Sequence, residues 1–154
     1  MQSAIIFADP PMTPTPNPYP MVTGTESVNA LAGKRVIIVE DEGITQMQLR
    51  RVLTMAGLKV VGFALTGEEG VTVALRERPD IVLMDITMPG NINGIEALRR
   101  SRAEYSVCVV MLTAYTEYQA EAEAAGACGY IVKPIDSTSL IPQLSQAFTR
   151  WQRG

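Results

Sequence analysis

Five side chains able to bind a cation or a phosphoryl group each come directly after an apolar run. Glu40 and Asp41 follow "RVIIV", Asp85 follows "IVLM", Thr113 follows "VCVVML", and Lys133 follows "GYIV". Carboxylates that lie close together repel one another and favour a cation such as Mg²⁺, which prefers oxygen ligands. A lysine ammonium can pair with a carboxylate or with an incoming phosphate. Beside such groups, an aspartate can attack phosphorus and form an acyl phosphate.

The spacing of these residues carries more information than any one of them. An Asp or Thr at the end of a strand commonly caps a turn, and a Lys before a proline is commonly exposed. The order is more specific, because Asp41, Asp85, Thr113 and Lys133 are separated by 44, 28 and 20 residues. If their strands are parallel neighbours, acids, a hydroxyl and an ammonium meet at one sheet edge. Thr113 and the N–H group of Ala114 could then donate to a phosphoryl oxygen.

Composition excludes several other kinds of site. The chain has 154 residues and no histidine, which removes histidine-based acid–base catalysis and the usual zinc sites. The net charge is −3 and the arginines are scattered, so we expect no direct binding of nucleic acid. No apolar run could span a membrane and no signal peptide is recognisable, so we expect a cytoplasmic protein. Cys108 and Cys128 are then expected to be free thiols, which would be close if their strands are neighbours.

Strand and helix patterns alternate from Lys34 onward. Short apolar runs predict five strands, at 35–39, 58–64, 80–85, 107–112 and 129–133. A helical pattern follows each strand, and near-continuous apolar strands indicate a parallel sheet with helices on both faces. In such sheets ligands bind beyond the carboxyl ends of the strands, which is where the polar side chains lie in the sequence.

The helix boundaries rest on capping residues and on proline. Capping pairs predict three helix starts, namely Thr66 with Glu69, Asn93 with Glu96, and Thr116 with Gln119. We expect the helix after Asn93 to reach about Arg102 and the helix after Thr116 to end near Gly126. Pro142 lies within the apolar pattern of the last helix, so that helix should begin late or bend there.

Residues 1–32 differ in composition from the rest of the chain. Six of the ten prolines lie between Pro10 and Pro20, which predicts a disordered tail and one folded domain over residues 33–154. Met21 could be the natural start of the protein. Only 21 residues follow Lys133, enough for one helix, so we expect no further domain after the sheet.

Four segments resemble the signature segments of the response-regulator receiver domain of two-component signalling. They are "VIIVEDE", "DIVLMDITMPG", "VVMLTAYT" and "GYIVKP", and they occur in the order found in that family. The resemblance covers residues 34–150. It implies a flavodoxin-like (βα)5 three-layer sandwich whose five parallel strands have the order 2-1-3-4-5. It also implies a bacterial phosphorylation-dependent switch and not a turnover enzyme.

The resemblance assigns a role to each matching residue. Asp85 would be the phosphoacceptor, with Lys133 and Thr113 completing the reacting set. The implied Mg²⁺ site comprises the carboxylates of Glu40, Asp41 and Asp85 and the backbone carbonyl of Thr87. Asp41 would be the principal ligand, and Glu40 would orient metal-bound water. The implied phosphate site comprises Thr113, Ala114 and Lys133.

A second group of matching residues relates to switching. Thr113 and Tyr130 would move together on phosphorylation, and a cis peptide bond before Pro134 would aim Lys133 at the site. The switching surface would comprise Tyr130, the fourth helix, the fifth strand and the last helix. The implied partners are a histidine kinase or a histidine phosphotransfer protein, together with an unknown output protein. A homodimer would use the same surface.

The sequence also departs from the family pattern. Glu40 replaces the commoner Asp, the "GNING" loop is one residue longer than usual, and Asn93 stands where Asp is common. Thr87 and Tyr115 occupy variable positions, and we hypothesise that Tyr115 limits access of water to the phosphoryl group. Two alternatives remain at this stage. One is a receiver-like scaffold that binds a partner without phosphorylation, and the other is a phosphohydrolase, although Thr87 replaces the second Asp that such enzymes commonly carry.

Overall fold

The five predicted strands form one parallel sheet. The computed structural model describes residues 30–154, so the predicted tail at 1–32 lies almost wholly outside the described residues. The strands are β1 (Arg35–Val39), β2 (Lys59–Ala64), β3 (Ile81–Met84), β4 (Cys108–Thr113) and β5 (Gly129–Val132). Their order is β2-β1-β3-β4-β5, which confirms the flavodoxin-like order. β3 therefore lies at the centre of the sheet, between β1 and β4.

Five helices longer than one turn cover the two faces of this sheet in the described residues. They are α1 (Gly43–Met55), α2 (Gly67–Glu77), α3 (Gly94–Glu104), α4 (Gln119–Ala124) and α5 (Leu140–Arg153). One core cluster joins α1 and α5 to the sheet through residues such as Leu49, Leu53 and Phe148. The other joins α2, α3 and α4 to the opposite face, with Val73 and Leu98 among its members. Both faces of the inner strands β1, β3 and β4 are buried, which explains why their sequences are almost wholly apolar.

Two of the three predicted capping pairs are confirmed. The N–H of Glu69 donates to the hydroxyl of Thr66 (3.1 Å), and the N–H of Glu96 donates to the side chain of Asn93 (3.0 Å). Pro142 is the third residue of α5, where the absence of an N–H leaves no helical bond unmade. The predicted late start is therefore wrong, because α5 begins at Leu140, the first residue of the apolar pattern, and accommodates Pro142 within its first turn.

The third predicted cap is wrong. Tyr118 occupies the N-cap position of α4, and no side chain caps that helix. The N–H of Gln119 instead donates to the backbone carbonyl of Thr116 (3.3 Å). Because this backbone turn already provides an acceptor for the N–H, the hydroxyl of Thr116 is not needed as a cap. The helix after Asn93 also continues to Glu104, two residues beyond the predicted end.

The packed part of the chain reaches back to Leu31. Its side chain is fully buried and belongs to the same core cluster as Leu53 and Phe148. The N–H of Gly33 donates to the carbonyl of Gly57 (2.8 Å), which holds this segment beside the end of α1. Core packing thus begins two residues before the predicted domain boundary, while the state of residues 1–29 stays a prediction. Within residues 30–154, no helix has the length and apolar character required to cross a membrane.

Candidate phosphoacceptor site

Backbone pairing brings the polar residues together at the carboxyl edge of the sheet. The N–H of Asp85 donates to the carbonyl of Val39 (3.0 Å), which extends the pairing of β1 with β3. The N–H of Lys133 donates to the carbonyl of Thr113 (2.8 Å), which extends the pairing of β4 with β5. Glu40 therefore lies beside Asp85, and Lys133 lies beside Thr113. Parallel strands place all four residues at one edge, as the sequence predicted.

Asp85 lies in a loop that is held closely by the start of α3. The N–H of Gly94 donates to the carbonyl of Ile86 (2.8 Å), and a side chain at Gly94 would collide with the carbonyl oxygen of Asp85, at 2.0 Å. Only glycine permits this approach of the two backbones. Asp85 is consequently buried, with only 6% of its surface exposed.

Lys133 connects the two buried carboxylates. Its Nζ lies 2.6 Å from Glu40 Oε1 and 3.1 Å from Asp85 Oδ2. The Glu40 and Asp85 side chains are only 1% and 8% exposed, so their charges require nearby partners. Burial lowers the pKa of Lys133, but the hydrogen bonds to Glu40 and Asp85 outweigh burial and raise that pKa above its ordinary value. Lys133 is therefore a fixed positive charge beside Asp85.

Glu40 is held by more than Lys133. Its Oε2 accepts a hydrogen bond from the N–H of Glu42 (3.0 Å), and its carbonyl accepts one from Nε2 of Gln46 (2.8 Å). Burial and the nearby charge of Asp85 raise the pKa of Glu40, although the bonds from Lys133 and from the Glu42 N–H act in the opposite direction. Gln46 was not anticipated from the sequence, because a glutamine in the first turns of an amphipathic helix resembles any other polar surface residue.

Three carboxylates converge at this edge. One oxygen each of Glu40, Asp41 and Asp85 lies within 4.8 Å of the others, and Asp41 is exposed while the other two are buried. One ammonium, that of Lys133, contacts two of these three acids. Two negative charges thus remain uncompensated within the cluster, and the donors are all hard oxygens. The set fits Mg²⁺, which binds carboxylates and retains water ligands.

The remaining predicted ligands lie at the rim of the acidic cluster. Thr87 is exposed, and its N–H donates to Oδ1 of Asp85 (3.3 Å). Ala114 is exposed immediately after β4, and its N–H remains a predicted donor to phosphate. The carbonyl of Thr87 likewise remains a predicted metal ligand.

A chain of hydrogen bonds leads from Thr113 to the surface of β5. Oγ1 of Thr113 accepts a hydrogen bond from the N–H of Tyr115 (3.4 Å), and the carbonyl of Tyr115 accepts one from the hydroxyl of Tyr130 (2.5 Å). Burial raises the pKa of Tyr130, which keeps its hydroxyl protonated as a donor. The two residues predicted to move together are therefore joined through the backbone of Tyr115. No sequence pattern could have indicated this intermediate, because backbone groups are present at every position.

The extended "GNING" loop is secured from α2. Oε2 of Glu68 accepts a hydrogen bond from the N–H of Asn91 (2.7 Å), and this bond is the main reason that the pKa of Glu68 is lowered. Gly90 has φ of +113°, and a side chain there would lie 2.5 Å from Oε1 of Glu68. Glu68 therefore positions the loop that follows Asp85. Its position between the capping residues Thr66 and Glu69 did not indicate this role.

Residues 36–145 match the family described as the response regulator receiver domain. The chain belongs to this receiver-domain family. The fold, the strand order and the acidic cluster at the carboxyl edge all agree with that assignment. Phosphorylation and binding of magnesium are typical of receiver domains, which act as signalling phosphoacceptors.

Known receiver proteins are similar over most of the chain. The transcriptional regulatory protein PdtaR of Mycobacterium tuberculosis (strain CDC 1551 / Oshkosh) is 35% identical over 134 residues, which cover 86% of this chain and 65% of PdtaR. The chain thus spans less than two thirds of that relative. The chemotaxis protein CheY of Thermotoga maritima is 39% identical over 119 residues, covering 74% of this chain and 97% of CheY.

Solved receiver structures superpose well on the sheet and its helices. The signal receiver domain of a modulated diguanylate cyclase from Desulfovibrio desulfuricans G20 has a TM-score of 0.72 and 30% identity, covering 79% of this chain and 98% of the other. The response regulator domain of Thermotoga maritima CheB has a TM-score of 0.68 and 32% identity, covering 79% and 98%. The family match over residues 36–145 includes the whole acidic edge.

Proposed function

We propose that this receiver domain is a phosphorylation-dependent signalling switch whose phosphoacceptor is Asp85. A carboxylate oxygen of Asp85 attacks the phosphorus of a phosphohistidine on a histidine kinase or a histidine phosphotransfer protein. The bond from phosphorus to the imidazole nitrogen breaks, and an aspartyl phosphate forms. Output then follows from binding another protein, and the chain is not a turnover enzyme.

The observation that carries this proposal is the excess of carboxylates over cations around Asp85. Three acids face one lysine, so the site attracts a divalent cation while Asp85 remains available to react. Asp41, Asp85 and the carbonyl of Thr87 would hold Mg²⁺, which supplies positive charge opposite the transferred phosphoryl oxygens. Glu40 lies at the same cluster and orients Lys133.

The other polar groups at this edge receive the transferred phosphoryl group. Lys133, whose charge is held beside Asp85, exchanges part of its contact with the carboxylates for a contact with a phosphoryl oxygen. Thr113 and the N–H of Ala114 donate to the remaining oxygens. Once the hydroxyl of Thr113 binds phosphate, its contact with the N–H of Tyr115 is lost, and the backbone link to Tyr130 is altered.

The two ends of β3 provide a matched test of the phosphoacceptor. Asp80 precedes the strand and Asp85 follows it, so each is an aspartate beside the same four buried residues. Incubation with acetyl phosphate and Mg²⁺ should add one phosphoryl group, detected by intact-protein mass spectrometry, to the wild type and to Asp80→Ala. Asp85→Ala should remain unmodified. Failure of the wild type to gain mass, or equal labelling of Asp85→Ala, would refute the proposal.

The output surface is proposed to include Tyr130, α4, β5 and α5. Tyr130 already contacts the loop that leads from Thr113, and Val132 on the edge strand β5 is exposed. An unknown output protein or a second copy of the chain would bind here. Beryllofluoride should increase capture of that partner by the wild type and not by Asp85→Ala. Equal capture by both proteins would favour the scaffold alternative instead.

The phosphodonor protein is proposed to bind beside α1. Ile44, Met47 and Met55 are large apolar residues exposed along this helix, and α1 begins two residues after Asp41. Exposed apolar side chains of this kind favour a protein partner. Met47→Glu should slow phosphotransfer from a phosphorylated histidine phosphotransfer protein more than Met55→Glu does, since Met55 is at the far end of the helix. Both variants should react with acetyl phosphate as the wild type does.

A further inference from the structure

The two cysteines form a thiol pair at the opposite edge of the sheet from the acidic cluster. Cys108 is the first residue of β4, and Cys128 comes directly before β5. The N–H of Cys128 donates to the carbonyl of Val109 (2.8 Å), and interaction with the other thiol is the largest cause of the pKa shift of each cysteine. Both are free, Cys108 buried and Cys128 half-buried. The structure thus places a protected thiol beside an accessible one.

The strand pairing allows the two sulfur atoms to be joined. Neighbouring parallel strands lie about 4.8 Å apart, and consecutive residues advance about 3.3 Å along a strand. Gly129 pairs with Val110, so Cys128, one residue before β5, lies roughly one strand spacing and one residue step from Cys108, about 6 Å between Cα atoms, which falls within the range found in disulfides. The chain bends at Cys128, outside the regular alternation of β5, and both cysteines pack against the core cluster of α1 and α5.

The surroundings of Cys128 favour reactivity. It lines two surface cavities of about 520 Å³ and 710 Å³, and it is only half-buried. Nη2 of Arg150 donates to the carbonyl of Cys128 (3.0 Å), and Nη1 of Arg102 donates to the carbonyl of Gly126 (2.6 Å). Both guanidinium groups therefore lie near the thiol.

The charges around the two thiols distinguish their roles. The hydrogen bond from Cys108 lowers the pKa of Cys128, and Arg102 and Arg150 lower it further, although burial opposes them. The same hydrogen bond and burial raise the pKa of Cys108. The thiolate is the nucleophilic form of cysteine, so Cys128 reacts first and Cys108 remains protonated until its partner has been oxidised.

We propose that Cys128 is a peroxide-reactive site and that Cys108 is its resolving thiol. The Cys128 thiolate attacks one oxygen of hydrogen peroxide, the O–O bond breaks, and a sulfenic acid forms while the departing hydroxide takes a proton to become water. The sulfur of Cys108 then attacks the sulfenic sulfur, and the S–O bond breaks. The proton of Cys108 leaves with the hydroxide as a second water, and the resulting disulfide joins β4 to the start of β5.

The full chain treated with hydrogen peroxide tests this directly. We expect the intact mass to fall by two hydrogens, with a Cys108–Cys128 peptide that a thiol reductant separates. Cys108→Ala should instead accumulate a sulfenic acid at Cys128, trapped by dimedone, whereas Cys128→Ala should yield no adduct at Cys108 while folded. Asp85→Ala should form the disulfide as the wild type does, so the result is independent of the proposed phosphorylation. Circular dichroism confirms that each variant is folded.

The arginine beside Cys128 offers a second measurement. In the Cys108→Ala background, Arg150→Gln should slow dimedone-trapped oxidation of Cys128 about threefold to tenfold, because one pKa unit changes the thiolate fraction about tenfold. Arg153→Gln, three residues further along α5, should leave the rate unchanged. The proposal is overturned if peroxide leaves both thiols reduced in the folded wild type. It is equally overturned if only disulfide-linked dimers form, or if Cys108 reacts as fast as Cys128.

Discussion

The two edges of the sheet carry charged clusters of similar size that are paired differently. At the amino edge, the N–H of Arg35 donates to Asp80 (2.9 Å) and the Arg35 guanidinium pairs with Glu77 (3.1 Å). Both acids are therefore bonded to Arg35, one through its backbone and the other through its side chain. At the carboxyl edge, Glu40, Asp41 and Asp85 share Lys133. Residues of the same types thus satisfy one another at one edge and leave negative charge unpaired at the other.

This difference indicates which edge serves stability and which serves function. Uncompensated like charges oppose folding, and proteins retain such local conflicts chiefly at functional sites. β3 illustrates the contrast because it has an aspartate at each end. Asp80 anchors the backbone of Arg35, whereas Asp85 faces two further carboxylates and a lysine. Four predictions follow this contrast, in order of decreasing expected effect.

Removing the cation from each edge should separate reactivity from folding. Lys133→Met should slow phosphorylation by acetyl phosphate about a hundredfold, as expected for loss of a group that stabilises developing charge. Arg35→Met removes a cation from the opposite edge and should change that rate less than about twofold, which is small beside the hundredfold effect. The rates are compared by intact-protein mass spectrometry on samples whose circular dichroism shows a native fold. If both variants were phosphorylated more slowly by a similar factor, the two edges would not differ in function.

Mg²⁺ should stabilise the protein through the carboxyl edge alone. At a concentration a hundred times its dissociation constant, a ligand of the native state adds about 2.7 kcal/mol to the free energy of unfolding. Urea unfolding of the wild type and of Asp80→Ala should show this increase. Asp41→Asn should show a smaller one at the same concentration, because an exposed carboxylate of the cluster has been neutralised. An undiminished increase in Asp41→Asn would place cation binding elsewhere.

Without Mg²⁺, removing an acid should have opposite effects at the two edges. Asp80→Ala should lower the free energy of unfolding by about 1–3 kcal/mol, because the N–H of Arg35 loses its acceptor. Asp41→Asn should raise it by about 0.2–1 kcal/mol, the scale of interactions between exposed charges. Chemical unfolding in the presence of a chelator measures both values. The expected difference between the two edges is contradicted if Asp41→Asn lowers the free energy of unfolding as much as Asp80→Ala does.

The smallest expected effect concerns the rim of the carboxyl edge. Tyr115 follows Thr113 by two residues, is 47% exposed and packs edge-on against Tyr118, with ring centroids 6.2 Å apart. If its ring limits access of water, Tyr115→Ala should shorten the lifetime of the phosphorylated protein severalfold. Tyr118→Ala, which removes the neighbouring ring, should have less effect. The lifetime is followed by the decay of the phosphorylated mass, and an unchanged decay in Tyr115→Ala would exclude this role.

Sequence patterns predicted the strands and helices correctly where interactions between neighbouring residues determine them. Apolar runs located all five strands, and side-chain caps located the starts of α2 and α3. The start of α4 was wrong because a backbone turn at Thr116 replaces a side-chain cap, and sequence patterns report side chains. Glu68 was not foreseen as a support for the loop at Asn91 because the two residues are 23 positions apart.

The sequence predicted which residues form the candidate site, but it did not predict which of them contact one another. The resemblance implied that Glu40 orients metal-bound water, and that role stays a prediction. What the structure adds is that the longer Glu side chain reaches Lys133 at 2.6 Å, closer than Asp85 does at 3.1 Å. The hydrogen bond from the hydroxyl of Tyr130 to the carbonyl of Tyr115 could not be predicted from the sequence either, because it depends on how β4 and β5 are aligned.

The sequence by itself determined the chemistry of this protein and the order of its parts. Apolar runs specify buried strands, and the acids, the threonine and the lysine that end those runs specify what the edge of the sheet can bind. Only the tertiary structure decided which of these groups touch. Glu40 and Lys133 are 93 residues apart in the chain and meet because strand order brings both to the carboxyl edge, where the long Lys133 side chain reaches Asp85 and Glu40 together. Contact at that separation follows from strand order, which no local pattern contains.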